Sequence, residues 1–280
     1  MWTDCSREAV RGMYFARSRL QGFPVKRFLV IQHSSAEFLG PIEHELESRD
    51  IGFAYRRPFT GDAPAGLPGQ FDALWLLGGA HAVTDRANCP WIDDELRLLA
   101  AFRRARRPVV GIGFGGLLVA LACGGVPRDE AGHAGFWTQA RATPAGLGDP
   151  VAAAVDGRSV LVMAKGHVDC PPGTVPLACD ERGDWIALRP DPFTYALRFR
   201  PDVKPGTLED MVMDPERETP EGMDLLIAEA RRAWPQTQET NARVCAGLVV
   251  ALDLMTERRK SPVVMLKAVG RAPDQDGGAG

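Results

Sequence analysis

The sequence predicts an α/β fold, a parallel sheet covered by helices on both faces, because short apolar strands alternate with helical segments along its first half. The chain has 280 residues, of which 45% are hydrophobic and 25% are charged, a composition typical of a globular protein with a sizeable core. Its formal net charge of −3 gives no basic field for nucleic acid or acidic lipid. We therefore expect neither a nucleic-acid partner nor a membrane partner.

Strand and helix candidates alternate from residue 26 to residue 125. KRFLVIQHS (26–34) and FDALWLLGGA (71–80) are apolar runs of strand length, and FAYRRPF between them is a further strand candidate. The segment CPWIDDELRLLAAFRRARR carries acidic residues near its start and arginines at its end, as the dipole of a helix favours. PVVGIGF and GGLLVALACGG then indicate a strand followed by a helix.

The pattern changes from about residue 133, where short and closely spaced strand candidates predict an antiparallel or mixed section of sheet. Residues 219–258 then have the pattern of two helices. The absence of an apolar leader and of an apolar run of about 18 residues predicts a cytoplasmic protein with reduced thiols, and the absence of C-x-x-C pairs disfavours a structural zinc site. The predicted divisions are an N-terminal arm (1–25), a main domain (26–204), a C-terminal helical extension (205–258) and a tail expected to be flexible (259–280).

The glycines of PVVGIGFGGLLVALACGG allow two interpretations. Gly111, Gly113 and Gly116 fit G-x-G-x-x-G, the fingerprint of dinucleotide binding. That interpretation requires an acidic residue about 20 positions further on, at the end of the next strand. Asp129 and Glu130 come near that distance but lie in a polar turn, VPRDEAGHAG. We therefore favour the second interpretation, a tight turn that once carried a nucleophile.

Five blocks in order support it: LWLLGGAHAV, CPWIDDE, RRPVVGIGFGGLLVALACGGV, PPGTVPLACDE and YALRFRPD. Together they resemble the class I glutamine amidotransferases, in particular the stand-alone proteins similar to the glutaminase part of GMP synthase. The resemblance covers roughly residues 27–204 and implies a flavodoxin-like three-layer sandwich, here with added C-terminal helices. In that family the turn carries a cysteine nucleophile, and an F-H-P-E motif supplies the base and the acid that orients it.

The resemblance also implies that this chain has lost the catalytic triad. Gly113 stands at the cysteine position, and the F-H-P-E block is Phe199–Arg200–Pro201–Asp202. Glycine has no nucleophile, and arginine keeps its proton at physiological pH and cannot act as a general base. We therefore expect no glutamine hydrolysis, no cofactor and no metal.

Several residues remain candidates for the pocket. Cys89 is either a relocated nucleophile paired with His81 or a small buried residue before a helix. His167 lies either in a solvated loop or, as an alternative, in a metal site with Asp169 and His81. The candidates for the pocket are Gly78, Gly79, His81, Cys89, Gly115, Gly116, His167, Arg200 and Asp202.

The state of the pocket stays open from the sequence. Arg200 either pairs with Asp202 or points into an open pocket, where it would favour a small anionic ligand. We expect a binding or regulatory subunit for a partner synthase, because the family commonly works beside one. The alternatives are an enzyme with altered chemistry and a binding module for an amino-acid-like or anionic ligand. The apolar residues of 219–258 predict self-association or partner contact through the C-terminal helices.

Overall fold

The computed structural model describes residues 26–213 and 221–255, apart from the side chains of residues 129–134. The predicted N-terminal arm and tail lie outside the described residues. The strands are β1 (Lys26–Ile31), β2 (Ile51–Arg56), β3 (Ala73–Leu76), β4 (Val109–Ile112), β5 (Pro127–Gln139), β6 (Arg141–Ala142), β7 (Ser159–Val168), β8 (Ala178–Cys179), β9 (Trp185–Asp191) and β10 (Thr194–Leu197). The α-helices are α1 (Pro41–Glu47), α2 (Ile92–Arg104), α3 (Phe114–Ala122), α4 (Pro150–Val155), α5 (Pro205–Val212) and α6 (Met223–Ala251).

An eight-stranded sheet runs through the molecule in the order β2-β1-β3-β4-β10-β9-β8-β6. The first five strands in this order pair in parallel, and the last three join by antiparallel pairs. A separate antiparallel pair, β5 and β7, stands apart from that sheet. The mixed section that the sequence predicted from about residue 133 is therefore present, but it begins at Pro127, so Asp129 and Glu130 lie in a strand and the prediction of a polar turn there is wrong.

The sheet separates two apolar layers, because successive side chains of a strand point to opposite faces. In β1, Phe28 and Val30 belong to the layer that includes α1, α4 and the C-terminal half of α6. Leu29 and Ile31 belong to the opposite layer, under α2 and α3. The central parallel strands β3 and β4 are buried along their whole length and β1 along most of it, which explains why they appear in the sequence as apolar runs, whereas the edge strand β2 is mostly half-buried.

The C-terminal helix α6 corrects one prediction. The sequence predicted two helices within residues 219–258, interrupted near Pro235, but the structure has one helix that continues through this proline. A proline inside a helix removes a backbone donor and typically costs about 3 kcal/mol. Packing offsets this cost, because Ala230 before the proline and Val244 after it are both buried. The Thr237 hydroxyl also donates to the Ala233 carbonyl, close to the proline.

Helix α6 packs on the rest of the chain along most of its length, against α1, α4, α5 and β5. Most of the apolar side chains that suggested self-association are buried in these intramolecular contacts, whereas Leu225 and Val250 are 70% and 73% exposed. Exposed leucines and valines of this kind are common on monomers. Among the described residues, no helix is both long and apolar enough to cross a membrane.

Replacing Leu248 with alanine tests how far α6 stabilises the fold. Leu248 is fully buried between α6 and the sheet, so Leu248→Ala should lower the free energy of unfolding by about 2–5 kcal/mol. Val250→Ala, at an exposed position of the same helix, should change it by no more than about 0.5 kcal/mol. Urea unfolding followed by circular dichroism measures both. Equal effects at the two positions would mean that α6 is not packed on this core.

Candidate functional site

The turn between β4 and α3 has the backbone of a nucleophile elbow. Gly113 lies there with φ 55° and ψ −118°, a conformation that L side chains rarely adopt. Its N–H donates to the Leu197 carbonyl of β10 at 2.8 Å, and the Gly115 N–H donates to the Leu77 carbonyl at 2.9 Å. The turn is therefore fixed between two neighbouring strands, at the carboxyl ends of the parallel sheet.

The other glycines of this segment allow α3 to pack closely on the sheet. A Cβ on Gly115 would lie 2.2 Å from the Leu76 carbonyl oxygen, and one on Gly116 would lie 2.4 Å from that of Leu197. Either contact is too short for a real side chain, so the chain requires glycine at both positions. A Cβ on Gly111 would likewise lie 2.3 Å from the Gly115 carbonyl oxygen, so close packing and the turn at Gly113 account for the G-x-G-x-x-G spacing without a dinucleotide.

The guanidinium of Arg200 lies directly in front of the elbow and is bound by two carboxylates. Its Nε and Nη2 donate to the two oxygens of Asp202 at 2.9 and 2.7 Å, and its Nη1 donates to Glu37 at 2.7 Å. All three side chains are almost fully buried, with no more than 1% of each side chain's surface exposed. The two carboxylates outweigh the cost of burial and raise the pKa of Arg200, so the side chain remains a cation.

Arg200 fills the space in front of the Gly113 turn. A Cβ on Gly78 would lie 2.4 Å from Arg200 Cζ, and one on Gly113 would lie 2.8 Å from Arg200 Cδ. The cavity left beside Arg200 measures only about 10 Å³, roughly the smallest volume that holds one water molecule. Trp137 and Leu161 of the β5–β7 pair and Trp234 of α6 lie around it. Little free space therefore remains beside the Arg200 side chain.

The backbone near Arg200 fixes its position from two sides. The Arg200 N–H donates to the Leu161 carbonyl of β7 at 2.8 Å, so the chain beyond β10 runs beside the β5–β7 pair. The loop after β1 approaches from the other side, because a Cβ on Gly40 would lie 2.0 Å from the Asp202 carbonyl oxygen. Gly40 has φ 55° as well, so both the close approach and the backbone conformation require glycine there.

His33 and Glu95 form a second buried ion pair behind the Gly78–Gly79 loop. His33 Nε2 lies 3.0 Å from a Glu95 carboxylate oxygen, and its Nδ1 lies 3.0 Å from the carbonyl oxygens of both Leu77 and Gly78. Both ring nitrogens therefore face oxygen atoms, an arrangement that a ring with a proton on each nitrogen satisfies. Burial alone lowers the pKa of His33, but Glu95, the Gly78 carbonyl and Glu37 outweigh it, so the pKa is raised.

The candidate for a relocated nucleophile, Cys89, lies before α2 and is buried. Burial, with Asp85 and Glu95 nearby, raises the pKa of its thiol to about 12, so the thiolate is not populated near neutral pH. His81 pairs with Asp85, its Nδ1 3.4 Å from the carboxylate, at the surface end of the same loop. The structure therefore gives Cys89 no activated form.

His167 belongs to a different group of side chains. Its ring packs at 6.0 Å on that of Trp185, and its Nε2 lies 4.0 Å from the Asp184 carboxylate. Asp169 accepts from Arg128 at 2.7 Å instead. Within residues 26–213 and 221–255, no group of three or more histidine, cysteine or acidic side chains is arranged to hold a metal ion.

The structure thus brings together Gly78, Gly79, Gly113, Arg200 and Asp202 and leaves His81 and His167 in other contacts. Sequence reasoning missed Glu37, His33 and Glu95. One signal existed: Q-H-S-S-A-E directly follows β1, and polar residues at the carboxyl end of a parallel strand lie where α/β sheets carry their sites. Glu95 resembles an ordinary acidic residue in the first turn of a helix, so its burial had no sequence signal.

Comparison with known proteins shows which solved structures share this fold. No protein-family model and no curated protein sequence matches the chain. A glutamine amidotransferase from Methylobacillus flagellatus superimposes with a TM-score of 0.70 at 20% identity, over 82% of this chain and 96% of that one. A glutamine amidotransferase from Thermotoga maritima does so with a TM-score of 0.68 at 18% identity, over 81% and 99%.

A putative GMP synthase subunit from Thermoplasma acidophilum superimposes with a TM-score of 0.52 at 12% identity, over 84% of this chain and 100% of that one. The chain therefore has the flavodoxin-like α/β fold of glutamine amidotransferases, as the sequence predicted. The shared region extends well beyond the elbow, because these structures are matched along nearly their whole length.

Removing Arg200 should show how much free energy it costs to keep two carboxylates buried without their cation. Arg200→Ala leaves Glu37 and Asp202 buried without their cation, so it should lower the free energy of unfolding by about 3–5 kcal/mol. Replacing all three side chains, as Glu37→Gln, Arg200→Met and Asp202→Asn, should recover at least half of that loss.

Arg231→Ala is the matched control for the Arg200 variants, because Arg231 pairs with Glu209 at 2.8 Å on the surface. It should cost no more than about 1 kcal/mol. Guanidinium chloride unfolding measures all three variants. A triple variant as unstable as Arg200→Ala would show that the buried charges are not the cause.

The raised pKa of His33 predicts a pH dependence of stability. A group whose pKa rises on folding stabilises fully below its unfolded pKa of 6.5 and loses that contribution as the pH passes the folded value. The free energy of unfolding should therefore fall as the pH rises from about 6 to about 9. The double variant His33→Gln, Glu95→Gln should flatten this slope, and His44→Gln, at an exposed position, should preserve it. An unchanged slope in the double variant would contradict a charged His33.

Proposed function

We propose that this chain is a catalytically degenerate glutamine amidotransferase-like protein that acts as a non-glutaminase binding or regulatory subunit for a partner biosynthetic enzyme. Its fold is that of glutamine amidotransferases, whereas its elbow has a glycine where a nucleophile is needed. All five cysteines in the described part of the chain are free thiols, which supports the predicted cytoplasmic location.

The observation that carries the proposal is the position of the Arg200 guanidinium. It lies between Gly78 and Gly113, where glutamine would have to meet a nucleophile, and two buried carboxylates hold it there. To admit glutamine, the protein would have to move a buried cation away from both counter-ions. Such a move leaves uncompensated charges in the interior and costs several kcal/mol.

Altered chemistry in the same pocket has less support. An enzyme needs a nucleophile, a base or an acid that can reach a substrate. Arg200 and Asp202 bind each other, and the Cys89 thiol has a pKa of about 12. The same contacts disfavour a small anionic ligand at Arg200, since its guanidinium already binds two carboxylates.

The proposed partner rests on the fold rather than on a docking surface. One structural neighbour is described as a putative GMP synthase subunit, and subunits by definition work with others. Self-association through α6 has less support than the sequence suggested, because most of its apolar side chains are buried within the chain. A binding protein needs only a stable surface, and a filled pocket contributes stability to one.

Glutamine hydrolysis by the wild type and by Gly113→Cys tests the loss of activity. Neither protein should release ammonia, because the added thiol has no general base, which typically contributes on the order of 10²- to 10⁴-fold to rate. Its Cβ would also lie 2.8 Å from Arg200 Cδ. A cysteine-containing glutamine amidotransferase is the positive control. Turnover by the wild type within tenfold of that control, abolished by Cys89→Ala, would show a relocated nucleophile.

The binding role requires reconstitution from purified components. A protein captured from the native host with this chain should form a complex of fixed stoichiometry when both are pure. Its synthase activity with ammonia should then change when this chain is added. A chain that forms no such complex, or one without effect on the activity, would overturn the regulatory role and leave the loss of glutaminase activity unaffected.

A further inference from the structure

A second concave surface in the described part of the chain lies at the opposite end of β4 from the elbow. It is a groove of about 700 Å³ between the end of α2 and the turn that joins β9 to β10. This volume lies within the range of about 300–1,000 Å³ that small-molecule sites occupy. The chain passes from α2 through Arg107 and Pro108 into β4, so the groove lies at the amino end of β4 and Gly113 at its carboxyl end.

Arginines dominate the charge of this groove. Arg103, Arg104 and Arg106 line it, and Asp191 is the carboxylate that faces them. Arg103 Nε donates to Asp191 at 3.0 Å, so this pair is neutral. Asp191 is fixed further, because it accepts from the Phe193 N–H and the Thr194 hydroxyl.

The guanidinium groups of Arg104 and Arg106 have no ion-pair or hydrogen-bond partner within residues 26–213 and 221–255, and both residues are exposed. Arg97, another exposed arginine of this helix, does pair with an acidic residue, Asp94. The lining therefore carries two uncompensated positive charges. Two free guanidinium groups on one groove match a doubly charged phosphate or a pair of carboxylates, which they bind through paired N–H donors.

The backbone of Arg106 is a further feature of this lining. Arg106 has φ 51°, the left-handed conformation that favours glycine at the end of a helix. The Arg107 N–H donates to the Phe102 carbonyl, which completes the usual hydrogen bond of such a helix end. Asp50 and Asp253 have the same conformation elsewhere in the chain, so the backbone here belongs to the helix end, and the proposal rests on the charges and the lining of the groove.

Apolar groups complete the lining. Ala100 of α2 and Pro192 and Phe193 of the opposite turn lie beside the arginines. Inorganic phosphate alone would leave this part of the groove in contact with water. We infer that this groove binds a small organic dianion, a phosphomonoester or dicarboxylate with an apolar or aromatic body, held by Arg104 and Arg106 against Phe193.

Isothermal titration calorimetry of the full chain tests the inference with three probes: phenyl phosphate, phthalate and inorganic phosphate. Phenyl phosphate and phthalate distinguish a phosphate from a dicarboxylate, and inorganic phosphate lacks the ring. We expect saturable binding of one ring-bearing probe, at least tenfold tighter than that of inorganic phosphate. Equal affinity for phenyl phosphate, phthalate and inorganic phosphate would overturn the organic ligand, and no saturable binding of any probe would overturn the site.

Variants of the lining separate a site from general charge attraction. Arg104→Ala and Arg106→Gly should each weaken the preferred probe by roughly tenfold. Arg106→Gly suits the backbone conformation at that position, so a loss of binding there cannot come from unfolding. Phe193→Ala should remove the advantage of the ring-bearing probe.

Arg97→Ala is the matched control, because Arg97 lies on the same helix, is paired with Asp94 and is not part of the groove. It should leave binding unchanged. Equal losses in Arg97→Ala and Arg104→Ala would show that the probes respond only to net charge, and would overturn the site. None of these positions contacts Arg200 or Gly113, so the outcome is independent of the proposed loss of glutaminase activity.

Discussion

The guanidinium of Arg200 joins parts of the chain that are far apart in sequence. It binds Glu37 in the loop after β1 and Asp202 just beyond itself, and its stem lies against the elbow at Gly113. A buried cation with three donors used on two carboxylates is stable only while every partner stays in place. The loop after β1, the turn after β4 and the chain after β10 are therefore held in one arrangement by one side chain.

The glycine at the elbow and the arginine in front of it depend on each other. A side chain on Gly113 would begin 2.8 Å from Arg200 Cδ, and one on Gly78 would begin 2.4 Å from Arg200 Cζ. Arg200 therefore fits only because both positions lack a Cβ. The glycines and the buried cation form a single packed state, so a side chain added at either glycine requires Arg200 to move.

The sequence predicted the strands and the turn at Gly113 because each depends on residues that are close together in the chain. β1, β3 and β4 are continuous apolar runs, and the turn at Gly113 follows β4 directly. The contacts of Arg200 are not local: Glu37 lies 163 positions away in the chain. A single sequence gives no means of pairing such distant charges. It also predicted a break near Pro235, because local propensity does not include the packing of Ala230 and Val244 that keeps α6 continuous.

β4 connects two different surfaces through the centre of the sheet. At its carboxyl end, where α/β sheets usually bind ligands, the space is closed by Arg200. At its amino end the chain leaves a groove with uncompensated arginines. β4 is fully buried and paired on both sides, so it is a rigid connection rather than a hinge. A ligand at the amino end would therefore meet a preformed surface, whereas a ligand at the carboxyl end would have to displace a buried ion pair. The binding that we propose at the amino end of β4 therefore needs no rearrangement of the buried ion pair at its carboxyl end.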